Sequence, residues 1–142
     1  MDKGFEKMKE LVEKIIAVLT GGQSSSSSSE AWDVINGFNN VDEVSLNGNI
    51  AVSVGGVEYI HNGDAKDKRI TIVVSGQYLT EEDLNQAKIM TMYDYIVSTV
   101  EDTDWRTIED DIAGFILGNA SINSDGSLNT CSITFELIVC KD

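Results

Sequence analysis

The chain has 142 residues, 24% of them charged and 42% hydrophobic, and a net charge of −14. That length suits a single domain with a substantial core. No stretch approaches the roughly 20 consecutive apolar residues of a membrane span, and an acidic surface repels phosphate, which argues against groove-reading DNA or RNA binding.

From the N-terminus, Met1 to Thr20 intersperses four lysines and four acids with its apolar residues and so lacks the layout of a signal peptide. Phe5, Met8, Val12, Ile15 and Leu19, with Leu11 and Ile16 beside them, recur at helical spacing. They predict an amphipathic helix with Glu10 and Lys14 as an i,i+4 pair, stopped by Gly21-Gly22. Residues 23–29 hold six consecutive serines and read as a flexible connector within one domain spanning 1–142.

A short segment around Trp32, Ile35 and Phe38 precedes a predicted three-stranded meander. A three-residue loop at Asn47-Gly48-Asn49 would pair Leu46 with Ile50 and Val44 with Val52. Gly55-Gly56 would then turn the chain, setting Val54 opposite Val57 and Val52 opposite Tyr59. Asn62 to Lys68 reads as a polar loop, and Ile70 to Ser75 as a central strand.

Thr80 is the expected N-cap of a second helix, with Asp83 closing a capping box. Its core stripe is expected to be Ile89, Met90, Tyr93, Ile96, Val97 and Val100. Ten acids stand against Lys88 and Arg106 between Glu81 and Asp111, a net of −8. The chain then closes on a hairpin with Asp125-Gly126 as a type I′ loop. That loop pairs Ile122 with Asn129, Ala120 with Cys131, Gly118 with Ile133, Ile116 with Phe135, Gly114 with Leu137 and Ile112 with Val139. One face is thereby apolar on both strands. The order predicts an α+β fold: an antiparallel or mixed sheet packed by an N-terminal helix and a second amphipathic helix, ending in a β-hairpin.

Little in the sequence carries chemistry. His61, the single histidine, reads as a surface residue in a loop beside Asn62-Gly63. Cys131 and Cys140 fall on opposite faces of the last strand, about 30 Å apart at about 3.3 Å per residue, too far to bridge. They read as small apolar strand residues, and unbridged thiols fit a reducing compartment. Asp102-Thr103-Asp104 starts like a calcium loop, but Arg106 stands at the third ligand position and no glycine follows. Asn119 to Asp125 lacks the same pattern's glycine placement and closing glutamate. Asn119-Ala120-Ser121 is a glycosylation sequon in form alone, and Glu109-Asp110-Asp111 pairs carboxylates without a marked pocket. No catalytic, cofactor-binding or metal-ligating residue is assigned.

Three stretches resemble the tail terminator (tail completion) proteins of long-tailed bacteriophages: the helix Asp2 to Leu19, the strand and helix Ile70 to Val100, and the terminal Phe115 to Val139 with its Asp-Gly turn. Together they cover about half of the chain. The match is one of pattern and order, because the family has no catalytic motif; the serine run and Gly55-Gly56 have no counterpart in it. The resemblance implies a homo-oligomeric ring, usually a hexamer, that caps the tail-tube protein, ends tube polymerisation and meets the head-side connector. It implies no reaction, no cofactor, no membrane and no specific nucleic-acid binding, although DNA passes through the ring. The place would be the virion tail or neck, assembled in the bacterial cytoplasm. Another neck, connector or tube-related subunit, a stand-alone small-ligand or peptide module and a hydrolase without an evident constellation are the competing readings.

Overall fold

The computed structural model describes residues 3–24, 33–36, 49–62, 65–79, 85–125 and 128–140. Its elements in chain order are α1 (Lys3–Ser24), β1 (Asp33–Asn36), β2 (Asn49–Asn62), β3 (Ala65–Leu79), α2 (Asn85–Asp102), α3 (Trp105–Ile108), β4 (Ile112–Asp125) and β5 (Leu128–Val139). The five strands form one sheet in the order β1-β2-β3-β5-β4. Every neighbouring pair is antiparallel except β1 and β2, so the sheet is mixed and the fold is α+β.

The core follows from alternation. Ile50 and Val52 on β2, Ile70, Ile72 and Val74 on β3, and Cys131, Ile133, Phe135 and Leu137 on β5 are buried. Their odd and even neighbours are half-buried on the other face. Period two places these side chains on one side of the sheet. The helices cover that side with Leu11, Val12, Ile15 and Leu19 from α1 and with Ile89, Met92, Ile96 and Val100 from α2. Ile70 to Ser75 is indeed central, flanked by β2 and β5, and its strand is longer than expected at both ends.

Several local expectations are corrected. Gly21-Gly22 does not stop α1, which continues to Ser24 and takes Gln23 and Ser24 out of the expected loop. A Cβ at Gly21 would meet nothing within 4 Å, so the helix only bears the glycine cost of about 1 kcal/mol there. Serines 25–29 lie outside the described residues, as do the expected N-cap Thr80 and Asp83 and the side chains of Phe5 and Met8. Met90 is half exposed, and Met92 takes its place in the core stripe. Gly76 on β3 makes the room: a Cβ there would collide with Met92 Sδ and stand 2.8 Å from Cys131 Sγ.

Gly55-Gly56 is a bulge, not a turn. Val54 pairs with Ile72 and Gly56 with Thr71, which leaves Gly55 as the extra residue in one continuous strand. The expected Val54–Val57 and Val52–Tyr59 pairs therefore do not form. Most of the expected polar loop Asn62 to Lys68 is strand, with Asn62 opposite Ala65. Ile50 pairs with Val34 on one side and Gly76 on the other, and Val52 with Asn36 and Val74. Both sides of β2 are thus occupied there, and the expected pairings with Leu46 and Val44 have no place; residues 44–48 themselves lie outside the described residues.

The terminal hairpin exists, but its register near the loop is shifted by two. Asp125 faces Leu128, Ile122 faces Cys131 and Ala120 faces Ile133. Two bulges then absorb the difference. Gly118 and Asn119 share the place opposite Thr134, so that Leu117 faces Phe135 and Phe115 faces Leu137; Ala113 is the second extra residue. Ile112 opposite Val139 is the one expected pair that is found. The first bulge turns Ile116 outward, opposite Glu136, and Phe115 inward. The reason is aromatic packing: Phe115 lies 5.8 Å from Trp105 and 5.4 Å from Phe135, centroid to centroid. Gly118 is required at the bulge, since a Cβ would stand 2.8 Å from the Thr134 carbonyl oxygen.

Candidate functional site

The polar groups that the fold brings together are structural ties between elements. Asp104 caps α3, its carboxylate accepting from the Arg106 backbone N–H at 3.3 Å, which gives the calcium-like Asp102-Thr103-Asp104 a capping role. Trp105 is buried and donates its indole N–H to the Val100 carbonyl at 3.1 Å, fastening α3 to the end of α2. The Tyr95 hydroxyl donates to the Leu19 carbonyl and ties α2 to α1. Lys14 pairs with Glu109 on the segment after α3, where sequence spacing had pointed to Glu10 alone. The Glu109 carboxylate, with Glu10 and Asp110 adding to the field, holds the Lys14 ammonium above its ordinary range.

Next to that pair, Lys14, Ala17, Val18, Thr107 and Ile108 line a shallow groove of about 390 Å³, widely open to water. It offers one cation, the Lys14 ammonium paired with Glu109, a Thr107 hydroxyl that donates to the Asp104 carbonyl, and an apolar floor. Burial raises the Cys131 thiol to about 11, so at neutral pH it is protonated and a poor nucleophile. Cys140 is half-buried at the end of β5, and neither cysteine forms a disulfide among the described residues. His61 lies in β2 opposite Lys66 and not in a loop. Among the described residues no group of three His, Cys, Asp or Glu side chains is placed to hold a metal ion, and no helix is long and apolar enough to cross a membrane.

The surface is more distinctive. Glu101, Asp102, Asp104 and Asp110 are exposed and Glu109 and Asp111 half-exposed, so the acids collect around α3 and the start of β4. On the sheet face away from the helices, Thr71, Val73, Ser75, Thr130, Ser132 and Thr134 form an uncharged field. Its charged end is Arg69, 3.8 Å from Glu58 and 3.6 Å from Glu136, with Lys68 5.6 Å above the Tyr59 ring. At the far side of the sheet, Ile116, Leu117 and Ile122 of β4 remain 46%, 38% and 36% exposed. The sequence pattern puts Ile116 and Ile122 on one apolar face; the bulge at Gly118-Asn119 separates them, so that Leu117 and Ile122 stand opposite the buried Phe135 and Cys131 while Ile116 stands opposite Glu136 on the other face.

Comparison with solved structures finds a number of similar chains. A chain of the virion of a native gene transfer agent (GTA) particle is similar over 89% of this chain and 94% of that chain, with 11% identity and a TM-score of 0.45. A likeness of that size decides neither fold nor function. No family model matches. No curated protein matches either.

Proposed function

We propose that this chain is a structural protein of a phage-like virion: a tail terminator that caps the tail tube as a ring and joins the tail to the head connector. The observation that carries this reading is the order strand–helix–hairpin in the Ile70 to Val139 region. Ile70 to Val100 and Phe115 to Val139 are two of the three stretches that resemble the family, and they supply β3, β5 and most of β4 as neighbours in one sheet, with α2 between them in sequence. The partners would be further copies of itself, a tail-tube protein and a head-side neck protein; the place would be the virion, after assembly in the bacterial cytoplasm. The role needs no cofactor and no catalytic residue, which suits a set of polar groups engaged in caps and ties between elements. An acidic ring also lets DNA pass without gripping its phosphates.

The test is a tube-capping assay. Added to polymerising tail-tube protein, the chain should arrest elongation and bind tube ends. Tubes that grow to the same lengths with and without it would overturn the terminator role. Copies carrying −14 each repel one another, so self-association should strengthen as the Debye length falls from roughly 30 Å at 0.01 M salt to about 10 Å at 0.1 M.

A further inference from the structure

We propose that the outer edge of β4, centred on Ala120 to Ser124, is the seam between copies of this chain, lying along the opposite, β1-side edge of the next copy. The inference deepens the ring reading and rests on it. β4 stands at the end of the sheet and pairs with β5 on one side; among the described residues no strand lies on its other side. Its backbone groups there are open to a further strand, the usual route by which a sheet edge recruits another chain.

Three features favour a second copy. First, no charged residue occurs from Ile112 to Ser124, although at the chain's charged fraction of 24% such a stretch would hold about three. Natural edges that must stay solitary are commonly guarded by lysines, and this one has none. Second, each copy carries −14, so an uncharged edge is where like-charged copies meet at the smallest electrostatic cost. A basic partner would instead be drawn to the acids at 101–111. Third, the strand directions fit. β1 and β2 run together and every other neighbouring pair is antiparallel, so β4 runs opposite to β1 and β2. A sheet continued from β4 onto the β1 side of the next copy is therefore antiparallel at the seam, and it joins two different edges. Such head-to-tail contacts are the kind that close rings. The bulges at Ala113 and Gly118-Asn119 break the edge nearer α3, whereas Ala120 to Asp125 keeps a regular register and presents Ile122.

The experiment compares the full chain with Ile122→Glu at the seam and Ser98→Glu on the exposed side of α2, two variants of equal charge, by sedimentation velocity across salt. Equal thermal midpoints, expected because both sites are exposed, establish that the variants fold. The seam predicts that Ile122→Glu weakens assembly about tenfold or more while Ser98→Glu stays within about twofold of the parent. Equal assembly of the two variants overturns the seam and leaves the ring standing. A parent that stops at two copies overturns the head-to-tail geometry. A parent that is monomeric at every salt concentration overturns both the seam and self-driven ring closure.

Discussion

The two strands of the closing hairpin are written in similar letters and have different fates. β5 alternates without a break: Cys131, Ile133, Phe135 and Leu137 are buried, and Ser132, Thr134 and Glu136 face the other way. β3 and β4 hold it on both sides, so its register has no freedom. β4 carries at least as many apolar residues, yet it bulges twice and leaves Ile116, Leu117 and Ile122 exposed. Position in the sheet decides the difference. A central strand must match two ladders, whereas an edge strand can spend extra residues on placing one side chain, here Phe115 against Trp105 and Phe135.

The largest expected effect opposes ladder partners. Phe135 and Leu117 face each other across the hairpin, one buried and one not. Phe135→Asp should destabilise by about 4 kcal/mol or more, through lost burial and an unpaired charge. Leu117→Asp should cost under about 1 kcal/mol, as exposed substitutions do. Urea midpoints check this, and similar losses for the two would remove the distinction between the strands.

How much of this was legible follows from range. The helical stripes were readable because they depend on neighbours three and four residues away. Met92 was confused with Met90 because the deciding contact, the space over Gly76, comes from another element. Gly55-Gly56 signals a turn and a bulge equally well, and only the distant pairing of Val57 to Asn62 with Ala65 to Ile70 chooses the bulge. The hairpin showed the same limit. Its apolar pattern was right for β5, and Ile112 opposite Val139 was right, but the loop shift and the two compensating bulges have no local signal. Parallel pairing of the four-residue β1 was likewise invisible. Of the surface, the uncharged run from Ile112 was in plain view; its exposure required the sheet order.

A smaller effect sharpens the comparison through pH. The Cys131 thiol is raised from 9.0 to about 11 by burial, while its partner on β4, Ile122, is partly open to water. A raised value means that the stability is complete below pH 9, where the thiol is protonated in folded and unfolded chains alike. It declines from pH 9 to about 11, as the unfolded chain gives up its proton first, by at most ~3 kcal/mol. Cys131→Ala should start less stable and lose less over that window in urea titrations. A slope unchanged by the substitution would show that Cys131 is not shielded as the structure describes.

Negative-stain imaging of the pure full chain, at about 0.1 M salt and above where repulsion between copies is screened, tests the central claim most directly. The account predicts closed rings of uniform diameter with a central hole, many copies joined head to tail. Compact single particles without a hole, at every concentration and salt, would contradict it.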